Sequence, residues 1–452
     1  MNHFVRVLRL FALLFLGLHL GADLLPEDQA WGIWPYSMLP PVVGATGVGL
    51  AALCLWSEAS RRMERWWGRG ARAVGLAGLG CRWGYPLLAG LAGLLFWWGR
   101  LVHTRWGDAY ILTQAIPHPE VRLTYTWQAP FDLFLHAKLW ALTNAWWGWE
   151  VMQLYQVVSV AAGVTFLVVL GRVVQDLAPS GLEQRFIFGA VASLGMMQLF
   201  FGYVENYTLI PVGILLFLWL GVGVLNGRAP LWAASLALAL TNAFHPSTLV
   251  LWPAALCLLA CRWRGSSGGR SLLELALPPL LVGAGVLALM ESGGHGLAAL
   301  LGHDFPGGGD RRWFVPLWET QTRWERYTMF SWPHLLDVLN QQLLTGPFAL
   351  AMLVLVALFL RRGRADAQER FFMVAGLCYL TLTLVWNPDY GGRRDWDLFA
   401  PAALPLTLWA ATAVTRRLGE GEALRQTAWI VIPTSLVHLA GWVYSNTRPW
   451  SW

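Results

Sequence analysis

The chain has few charged residues, few cysteines and almost no lysine, and each shortage limits the classes of protein to which it can belong. Only 13% of its 452 residues are charged, whereas soluble domains usually carry about a quarter. Its five cysteines are predicted within spans or on inner loops, so no outer disulfide framework is expected. No basic face interleaves with stacking aromatics, so nucleic acid is not expected as a partner. The remaining composition, 56% hydrophobic, is typical of an integral membrane protein.

Apolar runs long enough to cross a bilayer recur along most of the sequence. We predict an all-α polytopic membrane protein with about 13 transmembrane helices. The predicted spans are 10–25, 40–56, 84–100, 150–171, 186–202, 208–226, 229–244, 247–261, 271–291, 342–360, 371–386, 398–415 and 426–444. The first run lacks a small-residue cleavage site and is followed by further spans, so we predict a retained helix rather than a signal peptide.

Arginines follow the second, eighth and tenth predicted spans, and positive loops favour the cytoplasmic side. These residues are Arg61, Arg62, Arg65, Arg69, Arg72, Arg262, Arg264, Arg270, Arg361, Arg362, Arg364 and Arg370. The N-terminus is therefore predicted inside, with two long loops, 101–149 and 292–341, on the outer face. We divide the chain into an N-terminal two-helix hairpin with a basic cytoplasmic loop, 1–83, and a larger transmembrane unit, 84–452.

The composition also suggests where the protein resides. Lys138 is the only lysine, while arginine, alanine and glycine are abundant, as in proteins from GC-rich bacterial genomes. We therefore expect a bacterial inner membrane. No P-loop or Rossmann glycine pattern faces the cytoplasm, so any chemistry is expected on the extracytoplasmic face.

The first outer loop carries the strongest candidate for acid–base chemistry. Asp108 stands just beyond the predicted span 84–100, where a carboxylate can face water and still be partly buried. Partial burial raises the pKa of a carboxyl group toward the working pH, as a general base requires. An aspartate that only caps the next helix is the alternative interpretation. The loop ends in an amphipathic segment, 129–149, which predicts an interfacial helix with Asp132 and Lys138 away from its apolar stripe.

Two short outer turns add further candidates. Glu205 lies in GYVENY, between two spans, with Tyr203 and Asn206 beside it as hydrogen-bonding groups suited to a hydroxyl-rich ligand. An ionisable residue at this depth is a functional candidate, and a helix-terminal glutamate that reaches water is the ordinary alternative. His245 in FHPS could bind a phosphate or orient a carboxylate, and a structural turn histidine fits equally well. It has no partner at metal-ligand spacing, so no zinc site is predicted.

The second outer loop combines histidine, acid, arginine and tryptophan. His303 and Asp304 stand beside a glycine run, and arginines then interleave with tryptophans from 311 to 326. Aromatic faces suit sugar rings and prenyl chains, while the guanidinium fork suits phosphate oxygens. The alternative is an interfacial loop with ordinary aromatic anchors.

The stretch NPDYGGRRDWDL, from 387 to 398, concentrates charge at the start of a predicted span. Its two glycines permit a sharp turn, and Arg393 and Arg394 beside them suit a phosphate head group. Asp395 and Asp397 in the first helical turn favour the helix dipole, so a capped span entrance explains the aspartates better than it explains the arginines.

An outward aspartate after an early span, a long first loop with a membrane-lying helix and many following spans together resemble the GT-C superfamily of integral-membrane glycosyltransferases. The likeness in layout covers roughly 84–445, and its motifs are short: GD, GYVENY, HPS and RDWDLF. It implies sugar transfer from a polyprenyl-phosphate donor to a lipid, glycan or protein acceptor, with Asp108 as the base and Arg393 or Arg394 on the donor phosphate. Two extra spans precede the aligned region, and no WWDYG-like motif is present, which argues against an N-glycosylation enzyme.

Phosphate is already a good leaving group, so the implied reaction requires no cofactor, although Glu205, Asp304 or Asp395 could help to bind Mg²⁺ or Mn²⁺. Two other functions fit the same face. One is a polymerase or ligase that moves whole glycans from an undecaprenyl-diphosphate carrier, with His245 or His303 as the base. The other is a non-enzymatic flippase for lipid-linked sugars, which would favour mid-span charges and recognisable repeats.

Overall fold

A computed structural model describes residues 2–56, 58–59, 61–62, 81–118, 123–263, 268–302, 312–360 and 365–449 of the chain, and this part is helical. The helices are α1 (Asn2–Leu20), α2 (Pro41–Cys54), α3 (Cys81–Trp98), α4 (Ala109–Ala115), α5 (Pro130–Trp147), α6 (Val151–Leu177), α7 (Gly181–Ala192), α8 (Ile210–Leu225), α9 (Leu231–Phe244), α10 (Trp252–Trp263), α11 (Gly268–Ser292), α12 (Leu297–Gly302), α13 (Trp332–Thr345), α14 (Ala349–Phe359), α15 (Ala367–Val385), α16 (Trp396–Phe399), α17 (Ala403–Leu418) and α18 (Glu422–Asn446). The only β-type pairing in the described ranges is an isolated bridge between Phe314 and Trp386.

Several helices are long and apolar enough to cross a membrane. Within the described residues, six segments meet that criterion, and a bent pair, α13 and α14, raises the number to seven. Four shorter apolar helices of 10–17 residues accompany them. The protein is therefore a polytopic helical membrane protein, as predicted, while the count of 13 spans stays a prediction.

Two predicted spans are not single straight helices. The segment predicted at 342–360 contains the end of α13 and then α14, and these two helices are bent by 94° relative to one another. The segment predicted at 186–202 is α7 followed by a 3-10 helix, Gly195–Phe200. Gly195 explains this break, because a Cβ at that position would lie 1.7 Å from the Leu344 carbonyl oxygen. Close backbone contact between the two broken elements therefore requires glycine there.

The segment Trp396–Leu418, which joins α16 to α17 through a 3-10 turn, lies at the centre of the bundle. Its span window is 94% buried, against 11% for α11 at the periphery. It packs against α7, α14 and α15, and small residues on several of its sides allow this close approach. These are Ala400, Ala402, Ala403, Ala410, Ala411 and Ala413. Because the segment is enclosed, surrounding elements fix the aspartates at its start.

The N-terminal region packs onto the rest of the bundle. Helices α1 and α2 lie against α18. The connection between them reaches α13, where the Trp31 indole N–H donates to Asp337 Oδ1 at 2.9 Å and the Gly32 N–H donates to Asn340 Oδ1 at 2.8 Å. Gly392 in the 387–395 loop donates its N–H to Asp337 Oδ2 at 3.2 Å. The N-terminal connection and that loop therefore meet on the same helix.

Candidate active site

A cavity of about 700 Å³ opens at the end of the bundle where three connections converge. The connections are the turn between α3 and α4, the segment between the 3-10 helix Gly195–Phe200 and α8, and the loop between α15 and α16. Five carboxylates line the cavity, Asp389 and a group of four: Asp108, Glu205, Asp395 and Asp397. The fold thus brings together three of the acids singled out in the sequence and adds a fourth.

Asp108 is the most accessible of these four carboxylates. It stands at the start of α4 but makes no side-chain capping hydrogen bond, so the interpretation as a helix cap is wrong. Its Oδ1 instead accepts a hydrogen bond from the Tyr390 hydroxyl at 3.0 Å, and its Oδ2 accepts one from the Gln128 amide at 3.4 Å. Both donors stabilise the charged form of the carboxylate and hold it toward the cavity.

Glu205 lies behind Asp108 and is almost completely buried. Its Oε1 accepts the backbone N–H of Asp108, and its Oε2 accepts the N–H of Asn206 at 2.8 Å. The glutamate therefore holds the backbone of the candidate base in place. It is not a helix-terminal side chain that reaches bulk water.

The side chains of Asp395 and Asp397 accept hydrogen bonds from groups outside α16 and do not act as simple helix caps. Asp395 makes no capping hydrogen bond to α16 and instead accepts the N–H of Tyr390 at 2.8 Å. Asp397 accepts the Tyr203 hydroxyl at 2.9 Å. Tyr203 is buried beneath the cavity against Trp396, so it supports Asp397 from below and is absent from the cavity lining.

Burial and mutual repulsion raise the pKa values of these acids. Burial, partly offset by the hydrogen bonds from Tyr390 and Gln128, raises the pKa of Asp108. Burial and then the charges of Asp397 and Asp108 raise the pKa of Glu205 well above its ordinary value. Burial, followed by the charge of Asp397, does the same for the pKa of Asp395. The site therefore favours protonated acids deep in the wall and leaves Asp108 as the carboxylate best placed to exchange a proton with a ligand.

Tyr390, together with Gly107 and Ile111, lines both this acidic cavity and a second, smaller one. The second cavity, of about 490 Å³, is lined by Gly107, Tyr110, Ile111, Tyr390 and Arg394. The guanidinium of Arg394 lies 4.8 Å from the Tyr390 ring centroid, while the hydroxyl of the same ring reaches Asp108. One aromatic ring thus separates a cation from the candidate base.

Arg393 is positioned differently from Arg394. Its guanidinium forms an ion pair with Glu27 from the N-terminal connection, and it lines neither of the two cavities described. The glycine turn beside it is as predicted, because Gly391 has a φ of +85°. The two adjacent arginines therefore point to different partners, a difference that the sequence pattern did not reveal.

His245 lies in the cavity wall as a neutral imidazole. Burial lowers its pKa to about 3. Its Nδ1 accepts the Ser247 N–H at 3.1 Å, and its ring packs against Tyr207. A neutral ring in this state can donate one hydrogen bond from Nε2 but cannot attract a phosphate by charge.

The outer wall of the cavity is aromatic. Trp313, Trp324 and Trp386 line it, and the rings of Trp313 and Trp386 are stacked 6.4 Å apart. The amide of Asn387 donates to the carbonyl of Trp324 at 3.2 Å, which ties the second outer loop to the end of α15. Flat apolar faces opposite carboxylates form a surface suited to a sugar ring.

Some predicted features lie elsewhere. His303 and Asp304 fall outside the described residues. The helix predicted at 129–149 is α5, and Lys138 on it is exposed, but the expectation for Asp132 is wrong. Asp132 is fully buried and pairs with His136 at 3.1 Å, because α5 packs on α6 and α9 through that side. Across the described part of the chain, no group of three or more histidine, cysteine, aspartate or glutamate side chains has a geometry that could hold a metal ion.

Three important residues of this site were missed in the sequence. Tyr390 stands in the NPDYGGRRDWDL stretch without a role assigned to it, Gln128 lies in a loop with no recognisable motif, and only the fold brings them to Asp108. The helix-dipole interpretation explains Asp397 as a helix start, although its spacing from Asp395 suggests a second acid at the same place. In addition, Asn206 and Asn387 line the cavity, and their Oδ1 atoms are buried and, within the described ranges, have no hydrogen-bond partner.

No protein-family model matches the sequence, and no curated protein or solved structure matches it either. The chemistry of the site therefore has to be interpreted from its own geometry.

Gly107 provides a test of how tightly the wall is built. Its φ is +44°, and a Cβ there would lie 2.5 Å from Glu205 Oε1. We expect Gly107→Ala to lower the free energy of unfolding by about 1–3 kcal/mol, from backbone strain and displacement of the glutamate. Gly148→Ala is the matched control, because Gly148 has a φ of +66° and no neighbour within 4 Å. Equal losses of stability for the two variants in thermal unfolding would show that the contact with Glu205 contributes nothing to the effect of Gly107→Ala.

Proposed function

We propose that this protein is a membrane glycosyltransferase that moves a sugar from a polyprenyl-phosphate donor to an acceptor hydroxyl. The observation that carries the proposal is the position of Asp108. Its carboxylate faces a cavity lined with acids and tryptophans, and Gly107, Ile111 and Tyr390 line both this cavity and the adjacent Arg394 cavity. A sugar in the first cavity and its phosphate in the second would match the two ends of the scissile bond.

In the proposed reaction Asp108 takes the proton of the acceptor hydroxyl as its oxygen attacks the anomeric carbon. The new C–O bond forms while the bond from that carbon to the phosphate oxygen breaks, and the electron pair leaves with the polyprenyl phosphate. Direct displacement inverts the configuration of the sugar. General-base catalysis of this kind typically contributes 10²–10⁴-fold.

Arg394 is the better of the two predicted arginines for the leaving group. It lines a cavity adjacent to Asp108, and its backbone oxygen accepts the Gly107 N–H at 3.0 Å, which fixes the loop against the candidate base. A fixed cation near the phosphate stabilises the charge that develops there as the bond breaks. Arg393 sits one position away and is held by Glu27.

The state of His245 favours this function over a polymerase or ligase with a histidine base. Its pKa, lowered to about 3 by burial, makes it a weak proton acceptor. Asp108 has two hydrogen-bond donors that stabilise its charged form and is more accessible. The neutral His245 is then suited to donate a hydrogen bond to a sugar hydroxyl.

The remaining features of the proposal follow from the apolar runs, the arginine pattern, the composition and the resemblance in layout. We propose about 13 spans with a GT-C-like layout, the N-terminus in the cytoplasm of a bacterial cell and the site on the extracytoplasmic face of the inner membrane. Donor and acceptor would both reach the site from the membrane surface. The acceptor, whether lipid, glycan or protein, supplies only a hydroxyl group.

Donor turnover by the purified full-length protein tests the proposal. A panel of undecaprenyl-monophosphate sugars would be presented in nanodiscs together with a bacterial envelope extract as the acceptor source. The proposal predicts release of undecaprenyl phosphate coupled to sugar transfer for at least one donor. Movement of intact donor across the bilayer without cleavage would instead identify a flippase.

Tyr390→Phe should change the pH dependence of that turnover. Removal of the hydroxyl removes a hydrogen bond to the charged form of Asp108, so the pKa of Asp108 rises further above its ordinary value. The base is then protonated up to a higher pH, and the acidic limb of the pH–rate profile moves to higher pH. Tyr110→Phe, at an exposed tyrosine on the same small cavity, should leave the limb in place. If the acidic limb of the pH–rate profile stayed in place in Tyr390→Phe, the Tyr390 hydroxyl would not control the pKa of Asp108.

A further inference from the structure

We infer that Glu27 is a built-in counterion that occupies an anion site formed by Arg393 and Arg105, and that a phosphate group displaces it. The choice of a lipid phosphate as the displacing group rests on the proposed function. The inference adds two residues, Glu27 and Arg105, to which the sequence pattern assigned no role.

Two arginines from separate loops converge on one carboxylate oxygen. Arg393, from the loop before α16, pairs with Glu27 Oε1. Arg105, from the turn after α3, places its Nη2 3.7 Å from the same oxygen. Glu27 comes from a third element, the connection between α1 and α2. An oxygen held between two guanidinium groups has the surroundings that a phosphate oxygen prefers.

The positive charge of the arginines at this junction exceeds the single negative charge of Glu27. Burial, followed by the charge of Arg394, lowers the pKa of Arg105, so these two guanidinium groups repel one another. Burial also lowers the pKa of Arg393. Arg393 and Arg105 therefore hold a carboxylate that carries one negative charge, whereas a phosphate monoester carries about 1.5 to 2 near neutral pH. A phosphate monoester would balance the arginines better than a carboxylate does.

The ion pair is accessible enough to exchange. The Glu27 side chain is 36% exposed, and those of Arg393 and Arg105 are each 24% exposed. Partly exposed ion pairs contribute little to stability, so loss of this one costs little when a stronger anion arrives. Arg394, on the neighbouring cavity, connects the junction to the proposed reaction site.

Binding measurements on the full-length protein in detergent test the inference without any turnover. The probes are inorganic phosphate and undecaprenyl phosphate, each titrated calorimetrically. Glu27→Gln removes the competing charge and should tighten binding by about 3- to 10-fold. Glu27→Asp keeps the charge on a shorter side chain and should tighten it less. Asp28→Asn, the same chemical change at the next position, where the side chain is exposed, should leave affinity within about twofold.

The outcomes separate the possibilities. Tighter binding of undecaprenyl phosphate by Glu27→Gln, abolished when Arg393→Gln is added, supports displacement by a lipid head group. A gain for inorganic phosphate alone supports the same displacement with free phosphate as the anion. Unchanged or weaker binding of both probes overturns the inference, because Glu27 would then only anchor the arginines. A gain in affinity in a protein that turns over no donor would preserve this inference and remove the proposed function.

Discussion

Asp108→Asn is expected to reduce sugar transfer by about 10²–10⁴-fold while donor binding survives. The loss corresponds to about 3–5 kcal/mol of transition-state stabilisation. Asparagine keeps the size of the side chain but cannot accept the proton of the acceptor hydroxyl. The substitution also removes a charge that raises the pKa of Glu205, so the protein should remain at least as stable in thermal unfolding. Turnover of labelled donor and calorimetric donor binding measure the two effects separately.

Asp389→Asn is the matched control for this experiment, because Asp389 is another partly exposed aspartate in the lining of the same cavity. It should retain transfer within a few-fold. If Asp389→Asn lost transfer and Asp108→Asn kept it, the base would be misassigned.

Arg394→Gln is expected to weaken donor binding by about tenfold or more and to lower the maximal rate as well. A charge-assisted hydrogen bond to phosphate is roughly twice as strong as a neutral one, and the charge on the leaving group grows as the reaction proceeds. The rate should therefore fall further than the affinity. Donor titration against turnover rate measures both quantities, and raised ionic strength should reduce the difference in affinity between the wild type and the variant.

Arg323→Gln removes the same charge from the same end of the molecule. Arg323 is exposed, lies 4.9 Å from the ring centroid of Trp324 and lines neither cavity. Its loss should change donor affinity by less than about threefold, as expected for an exposed charge. Equal effects of the two substitutions would mean that Arg394 acts only through the general positive potential of this face.

The sequence was sufficient to predict the class of fold because hydrophobic run length and helix formation are local properties. It could not predict the break at Gly195, because that break depends on the Leu344 carbonyl of a distant helix. The bend between α13 and α14 was missed for a similar reason. An apolar run has the same composition whether the helix is straight or bent.

The candidate site was only partly predictable. Asp108, Glu205 and Asp395 could be selected because isolated acids at span ends are unusual in an apolar chain. Their mutual arrangement depends on Tyr390, whose hydroxyl reaches across 282 positions to Asp108. The adjacent arginines looked equivalent in sequence, and only the distant Glu27 distinguishes Arg393 from Arg394.

A structure of the protein with a non-cleavable polyprenyl-phosphonate sugar would test the central claim most directly. The account predicts that the phosphonate oxygens lie within hydrogen-bonding distance of Arg394 and that the sugar occupies the acidic cavity, with Asp108 near its anomeric carbon. A sugar bound outside that cavity, or a phosphonate on the far side of the bundle from Tyr390, would contradict it.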